Sequence, residues 1–196
     1  MNYLAHAYLS FNQPGLIIGN MISDFVKGKK QYDYPPHIYT GIKLHRAIDE
    51  FTDAHSAVRE AKEFFRPAYR LYSGAFVDVV FDYFLATDAT IFPTELNLQK
   101  LAANTYLILQ QNVDVLPFRF QQMLPYMQQQ NWLYNYRFYE GIKQSLGGLV
   151  RRSTYLTDSA TAFAIFKEHQ HPLQQCYNQF FPELLSTAKA FIAENS

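Results

Sequence analysis

The chain is poor in cysteine, in charge and in long apolar runs, and each shortage removes a class of protein. Its only cysteine, Cys176, has no internal disulfide partner, and so few thiols argue against a structural zinc site of the finger type. No basic stretch followed by an apolar one opens the N-terminus, and no apolar run approaches the roughly 18 residues that a membrane-spanning helix needs. These gaps predict a soluble, cytoplasmic protein with no membrane partner. Only 17% of residues are charged, and seventeen basic residues balance seventeen acidic ones. No global field therefore favours nucleic acid, and a charged partner must be met by a local patch such as Lys27, Lys29 and Lys30. Internal repeats and Ser/Gly linkers are also absent.

What is present is bulky apolar material. Hydrophobic residues make up 48% of the 196, with 17 Phe and 15 Tyr, which excludes a disordered chain and suits a single domain over residues 1–196. Apolar residues recur at spacings of three and four, whereas strand-like alternation between Gly-rich turns is hard to find. The expected fold is all-α, one compact multi-helix domain. Asn2 caps a first helix to about Phe11, and Pro14 and Gly15 break it before a second from about Leu16 to Val26. Gly28 ends that helix, and Pro35 and Pro36 close a loop from Lys29. A long helix from His37 to about Asp53 follows, then a short one from Ser56 to Phe65. Pro67 marks the start of a central, mostly buried helix from about Ala68 to Leu85. Further helices are expected at about 94–112, 117–128, 131–147, 154–169 and 182–194, punctuated by Pro93, Pro117, Gly147, Gly148 and Pro182. The aromatic group Trp132, Tyr134, Tyr136, Phe138 and Tyr139 reads as core packing.

Ligand-type side chains recur four residues apart in the first half: His45 with Asp49, Asp49 with Asp53, and Asp78 with Asp82, with His6 and Asp24 upstream. Residues i and i+4 share a helix face, so each pair presents two donors to one region of space. His45 and Asp49 fit a surface ion pair as readily as a metal site, and Arg46 and Glu50 fit the same pattern. Asp78 and Asp82 differ, since two carboxylates on an apolar helix repel each other unless a cation or a proton intervenes. Asp24 falls at a helix C-terminus, poorly placed against the dipole. Imidazole and carboxylate together suit a divalent ion, and the carboxylate excess favours Mn²⁺ over Fe²⁺ or Zn²⁺. Such an ion generates a hydroxide nucleophile near neutral pH, which fits phosphate-ester hydrolysis. The adjacent Arg151 and Arg152 project about 100° apart, so one can clamp a phosphate while the other stays in water.

With those residues in place, the chain resembles the acyl carrier protein phosphodiesterases, relatives of the HD-type metal-dependent phosphohydrolases. The likeness rests on Asn2-Tyr3-Leu4-Ala5-His6, on Gly19-Asn20 with Ser23-Asp24-Phe25-Val26-Lys27-Gly28, and on Gly41-Ile42, His45-Arg46, Ile48-Asp49 and Thr52-Asp53. Asp78-Val79-Val80-Phe81-Asp82, Phe84-Leu85, Trp132-Leu133 and Arg151-Arg152 extend it over nearly the whole length. The adjacent His-Asp pair of the wider HD group is absent, its nearest equivalent being His45-Arg46 with Asp49. The resemblance implies an HD-like helical enzyme that hydrolyses the phosphodiester between 4′-phosphopantetheine and a serine of holo acyl carrier protein, with Mn²⁺ favoured. It further implies His6, Asp24, His45, Asp49 and Asp82 as the metal and catalytic set, with Asp53 and Asp78 as additional ligand candidates. Arg46 leads Arg151 and Arg152 as the candidate to offset charge on the phosphate. Because acyl carrier proteins are acidic, Lys27, Lys29, Lys30 and Arg59 are the expected docking face. Two other readings stay open at this point: an HD-like hydrolase of a nucleotide or another small phosphate ester, and a non-catalytic helical module that binds carrier proteins.

Overall fold

The computed structural model describes residues 1–195, and among them every regular element is helical. The eleven α-helices are α1 (Tyr3–Tyr8), α2 (Pro14–Ile22), α3 (Pro36–Ala54), α4 (Ser56–Tyr69), α5 (Ser73–Thr87), α6 (Glu95–Gln111), α7 (Phe118–Gln129), α8 (Trp132–Asn135), α9 (Tyr139–Arg152), α10 (Ala160–Glu168) and α11 (Gln170–Glu194). The all-α expectation holds. No helix is long and apolar enough to cross a membrane among the described residues.

The central helix is α5. Phe76, Val77, Val80, Phe81 and Leu85 are fully buried along it, as is the carboxylate of Asp82. α11 closes the core from outside by packing on α3, α4 and α5, with Phe180, Phe181 and Leu184 inward. Burying such side chains stabilises each by about 1.5–3 kcal/mol. That decides two boundaries where proline was expected to start a helix. Pro67 lies inside α4 and Pro182 inside α11. The buried neighbours Phe65 and Tyr69, and Phe181 and Leu184, hold the helices continuous despite the missing N–H.

Other boundaries move for local reasons. α1 stops at Tyr8, because Phe11 and Asn12 take left-handed backbone angles and turn the chain. The expected 131–147 helix divides into α8 and α9, and only the second half of 154–169 is helical, where Asp158 accepts from the N–H groups of Ala160 and Thr161. The segment expected to be a loop after Val26 contains a 3₁₀ turn over Gly28–Asp33. The aromatic group around Trp132 is only partly core: Tyr136 is buried, but Phe138 and Tyr139 are exposed.

One crossing positions the functional region. A Cβ on Gly19 would sit 2.0 Å from the carbonyl oxygen of Ile38, and one on Gly41 would sit 2.9 Å from the Gly19 Cα. Glycine at both points lets α2 and α3 touch backbone to backbone. The crossing brings the Asn20 carbonyl against the His45 ring one turn further along α3.

Candidate metal centre

His6 on α1, Asn20 on α2, Asp24 on the 3₁₀ turn Ser23–Phe25, and His45 and Asp49 on α3 meet in one pocket of about 310 Å³. Their geometry follows from Asn20. The His45 Nδ1 lies 2.7 Å from the Asn20 main-chain carbonyl, which only accepts, so Nδ1 carries the proton. The His6 Nδ1 lies 2.7 Å from Asn20 Oδ1. Asn20 Nδ2 donates to the His6 carbonyl and to Ser10 Oγ, which fixes Oδ1 as the acceptor and His6 Nδ1 as the donor. The two rings stack with centroids 4.0 Å apart.

Both Nε2 atoms therefore turn towards Asp49. The His6 Nε2 is 3.4 Å from Asp49 Oδ1, and the His45 Nε2 is 3.1 Å from Asp49 Oδ2 and 3.4 Å from Asp24 Oδ1. Although near both carboxylates, the buried His45 Nε2 has no aligned hydrogen bond. One donor atom from each of His6, His45 and Asp49 lies within 4.8 Å of the others. An orphaned nitrogen, a second imidazole and a carboxylate, each imidazole oriented through its far nitrogen, are a donor set that could hold a divalent cation.

The electrostatics point the same way. Burial lowers His45, but the neighbouring Asp24 and Asp49 carboxylates outweigh it and raise the imidazole to about 9. Burial and the adjacent His45 push His6 down to about 4. Burial opposes the charge on Asp49, yet contacts from both histidines hold it far below the usual carboxylate range. The hydrogen-bonding contact with His45 likewise lowers Asp24. At neutral pH the His45 imidazole therefore carries a proton between the Asp24 and Asp49 carboxylates.

The remaining carboxylates have other partners. Asp82 accepts from the N–H groups of Asn2, Leu4 and Ala5 at 3.3, 2.7 and 3.3 Å. It anchors the start of α1, and through it His6, while burial pushes its carboxyl up to about 7. Asp78 accepts from the Met1 ammonium at 3.0 Å, and that ammonium is 3.9 Å from Asp49. The cation that the Asp78 and Asp82 pair calls for is thus an amine of this chain. Asp53 is exposed and pairs with Lys62 at 2.8 Å, at the pocket rim.

The arginines sort differently from the expectation. Arg46, one position after His45, projects about 100° further round α3. It is exposed, donates to Gln31 and does not line the pocket. Arg152 lines it, with no ion pair to any described residue. Arg151 borders a neighbouring cleft. Lys27, Lys29 and Lys30 are exposed and unpaired on and beside the Gly28–Asp33 turn, and Arg59 is exposed on α4. In the sequence Asn20 is only half of a Gly-Asn step. A buried carboxamide four residues before an acid carries no periodic signal, so its tie to both histidines emerges only in three dimensions.

An all-helical bundle that holds two oriented imidazoles and a carboxylate in an open pocket defines a class, that of helical proteins with a candidate divalent-cation centre. The acyl carrier protein phosphodiesterase family matches residues 1–184. Curated relatives named acyl carrier protein phosphodiesterase include one from Yersinia enterocolitica, 31% identical over 96% of this chain and 98% of the relative. Others come from Serratia proteamaculans, at 31% with the same coverage, and Klebsiella pneumoniae, at 32% over 96% and 98%. No solved structure matches the chain significantly. The chain belongs to the acyl carrier protein phosphodiesterase family.

Proposed function

We propose that this protein is a cytoplasmic, Mn²⁺-dependent phosphodiesterase that cleaves the bond between 4′-phosphopantetheine and the serine of holo acyl carrier protein. The carrying observation is the convergence of one donor atom each from His6, His45 and Asp49 within 4.8 Å, with Arg152 on the same pocket wall. Family membership supplies the substrate class.

His6, His45 and Asp49 would hold the cation, with Asp24 beside them at the open side. The chemistry such an ion would supply there is acidification of water and polarisation of a phosphoryl oxygen. Asp24, kept ionised by His45, takes the proton released as water adds to phosphorus. A new P–O bond forms, the bond to the serine oxygen breaks, and the proton passes to that oxygen. Arg152 neutralises the non-bridging oxygens, a preorganised contribution of about 3 kcal/mol. Asp78 and Asp82 act by position, seating the Met1 ammonium and the start of α1. Lys27, Lys29 and Lys30 offer an acidic carrier protein its first contact.

The test measures release of the pantetheine arm from holo carrier protein with and without Mn²⁺, beside a panel of nucleotides. Mn²⁺-stimulated arm release that disappears in folded His45→Ala and Asp24→Ala proteins is the expected result. Turnover of nucleotides alone would replace this reading with a small-ester hydrolase. Absence of both turnover and any Mn²⁺ effect on the melting temperature would leave a binding module.

A further inference from the structure

Beside the metal pocket lies a second cavity of about 440 Å³, within the size range of small-ligand sites. The two share Asn2, Tyr3 and Arg152 in their walls, so they are neighbours that meet at these three residues. The second cavity differs in chemistry. It presents no carboxylate; its walls carry the carboxamides of Gln130, Asn135 and Gln144 and the rings of Trp132 and Tyr136. The Gln144 side chain has no partner among the described residues. Gly148 lines the cavity from α9, and a Cβ built there would make only ordinary contacts with the Arg151 and Arg152 guanidinium groups at 3.8 Å. That wall is open because a side chain is missing, not because backbones crowd it.

From this geometry we infer that the cleft of Trp132, Tyr136, Gln144 and Gly148 is the subsite for the pantetheine arm, with the phosphate at Arg152 and the carrier protein left outside. The inference rests on the phosphodiesterase reading. The arm alternates short alkyl units with amides, and a wall of rings and carboxamides is complementary to it: the rings cover alkyl segments and the Gln144 carboxamide can donate to and accept from a secondary amide. Of the other two carboxamides, Gln130 Oε1 accepts from Trp132 Nε1 and Asn135 Nδ2 donates to the Gln130 carbonyl. A nucleotide base would be served by the same rings, but its ribose and extra phosphates would call for further charge, and Arg151 and Arg152 are the only charged residues of the cleft wall.

The chain carries one tryptophan, and it lies in this wall. Emission of Trp132 therefore reports occupancy without any turnover. Full-length, Mn²⁺-loaded protein is titrated with 4′-phosphopantetheine, pantetheine and inorganic phosphate. Saturable changes with the first two, and none with phosphate, are expected. Gln144→Leu should weaken 4′-phosphopantetheine binding roughly three- to tenfold, the effect of losing one or two neutral hydrogen bonds. Gly148→Leu, which fills the cleft on a helix that gains by losing glycine, should abolish the emission change while the Mn²⁺-induced rise in melting temperature persists. No emission change in the parent protein, or an unaltered one in Gly148→Leu, overturns the assignment, as does an equal response to phosphate alone. Because binding is read apart from hydrolysis, the two readings fail separately. A parent that binds the arm through Gly148 yet releases none from carrier protein rejects the activity and keeps the cleft.

Discussion

Asn20 and His6 are joined twice: the carboxamide oxygen accepts from the imidazole Nδ1 at 2.7 Å, and the carboxamide nitrogen donates to the His6 main-chain carbonyl at 2.9 Å. One buried side chain thus sets the tautomer and the tilt of a ring on another helix. Replacing Asn20 with Ala removes both bonds but leaves the main-chain carbonyl that orients His45. Loss of an outer partner of a ligating histidine costs about 10- to 100-fold in metal affinity. Calorimetric titration of Asn20→Ala with Mn²⁺ should show a loss in that range; a change below about twofold would remove His6 from the ligand set.

The contact between α2 and α3 leaves no room for a methyl group. Alanine at Gly19 gains up to about 1 kcal/mol of helix propensity, but its Cβ meets the Ile38 carbonyl and the Ile42 nitrogen, both rigid backbone, at 2.0 and 2.6 Å. Overpacking of this kind costs about 1–3 kcal/mol or more. Gly19→Ala should therefore be less stable than the parent by about 2 kcal/mol in urea unfolding, and should bind Mn²⁺ more weakly, since separating the helices moves Asn20 from His45. A more stable Gly19→Ala protein would contradict the close crossing.

If His45 ligates the proposed cation, proton and metal compete for its Nε2. The carboxylates of Asp24 and Asp49 raise that imidazole to about 9, whereas His6 lies near 4 and is already neutral at pH 7. Between about pH 6 and 9, metal binding must release one proton, so affinity should rise about tenfold per pH unit and level off above 9. The metal-free protein should behave in the opposite sense. A histidine whose folded value exceeds its unfolded 6.5 contributes stability that is complete below 6.5 and lost as pH climbs through 9. Melting curves from pH 6 to 9 should fall for the metal-free protein, and the Mn²⁺-induced increment should grow. A pH-independent Mn²⁺ affinity would mean that His45 is not a ligand.

Helical spacing showed much of this arrangement in advance, and its limits are physical. The pair His45 and Asp49 lies on one face of α3, as i,i+4 periodicity requires, whereas Gly19 and Gly41 figure in the sequence only as parts of the family resemblance, with no sign of their contact. Asp78 and Asp82 stand out in the sequence as acids in need of partners and as candidate metal ligands. Periodicity places a side chain on a face but says nothing of what the opposite element brings, and here that element brought an ammonium and three backbone N–H groups. Arg46 shows the converse. Adjacent in sequence to a site histidine, it points about 100° away, and the pocket arginine comes from α9, more than a hundred residues later.

Asp82 should matter to folding before it matters to chemistry. Its two oxygens satisfy the N–H groups of Asn2, Leu4 and Ala5 inside the protein, so Asp82→Ala leaves buried donors without acceptors. The expected cost is about 2–4 kcal/mol in urea unfolding, combining loss of a helix cap with unsatisfied groups. Asp82→Asn keeps one acceptor oxygen and should recover roughly half of it. Should Asp82→Ala unfold at the parent's denaturant concentration, the N–H groups must be reaching water and the anchor would be dispensable.

Arg152 and Arg46 offer a direct contest between geometry and sequence proximity. Arg152 has no ion pair to any described residue and lines both the candidate metal pocket and the neighbouring cleft, so its charge is available to a phosphoryl group. Arg46 is exposed, spends a donor on Gln31 and lies outside the pocket wall. Removing one preorganised donor from a developing anionic centre lowers kcat by about 10²–10³. Arg152→Ala should fall in that range on holo carrier protein while retaining Mn²⁺ affinity, and Arg152→Lys should recover part, since an ammonium supplies the charge without the planar two-point contact. Arg46→Ala should change kcat less than about threefold; any effect there should appear in KM and vanish at high salt, as for Lys27, Lys29 and Lys30, because exposed charges steer an acidic partner and are screened over about 10 Å. The reverse pattern, with kcat lost in Arg46→Ala and kept in Arg152→Ala, would require the phosphate to enter from the α3 side and would displace the pantetheine arm from the Trp132 cleft.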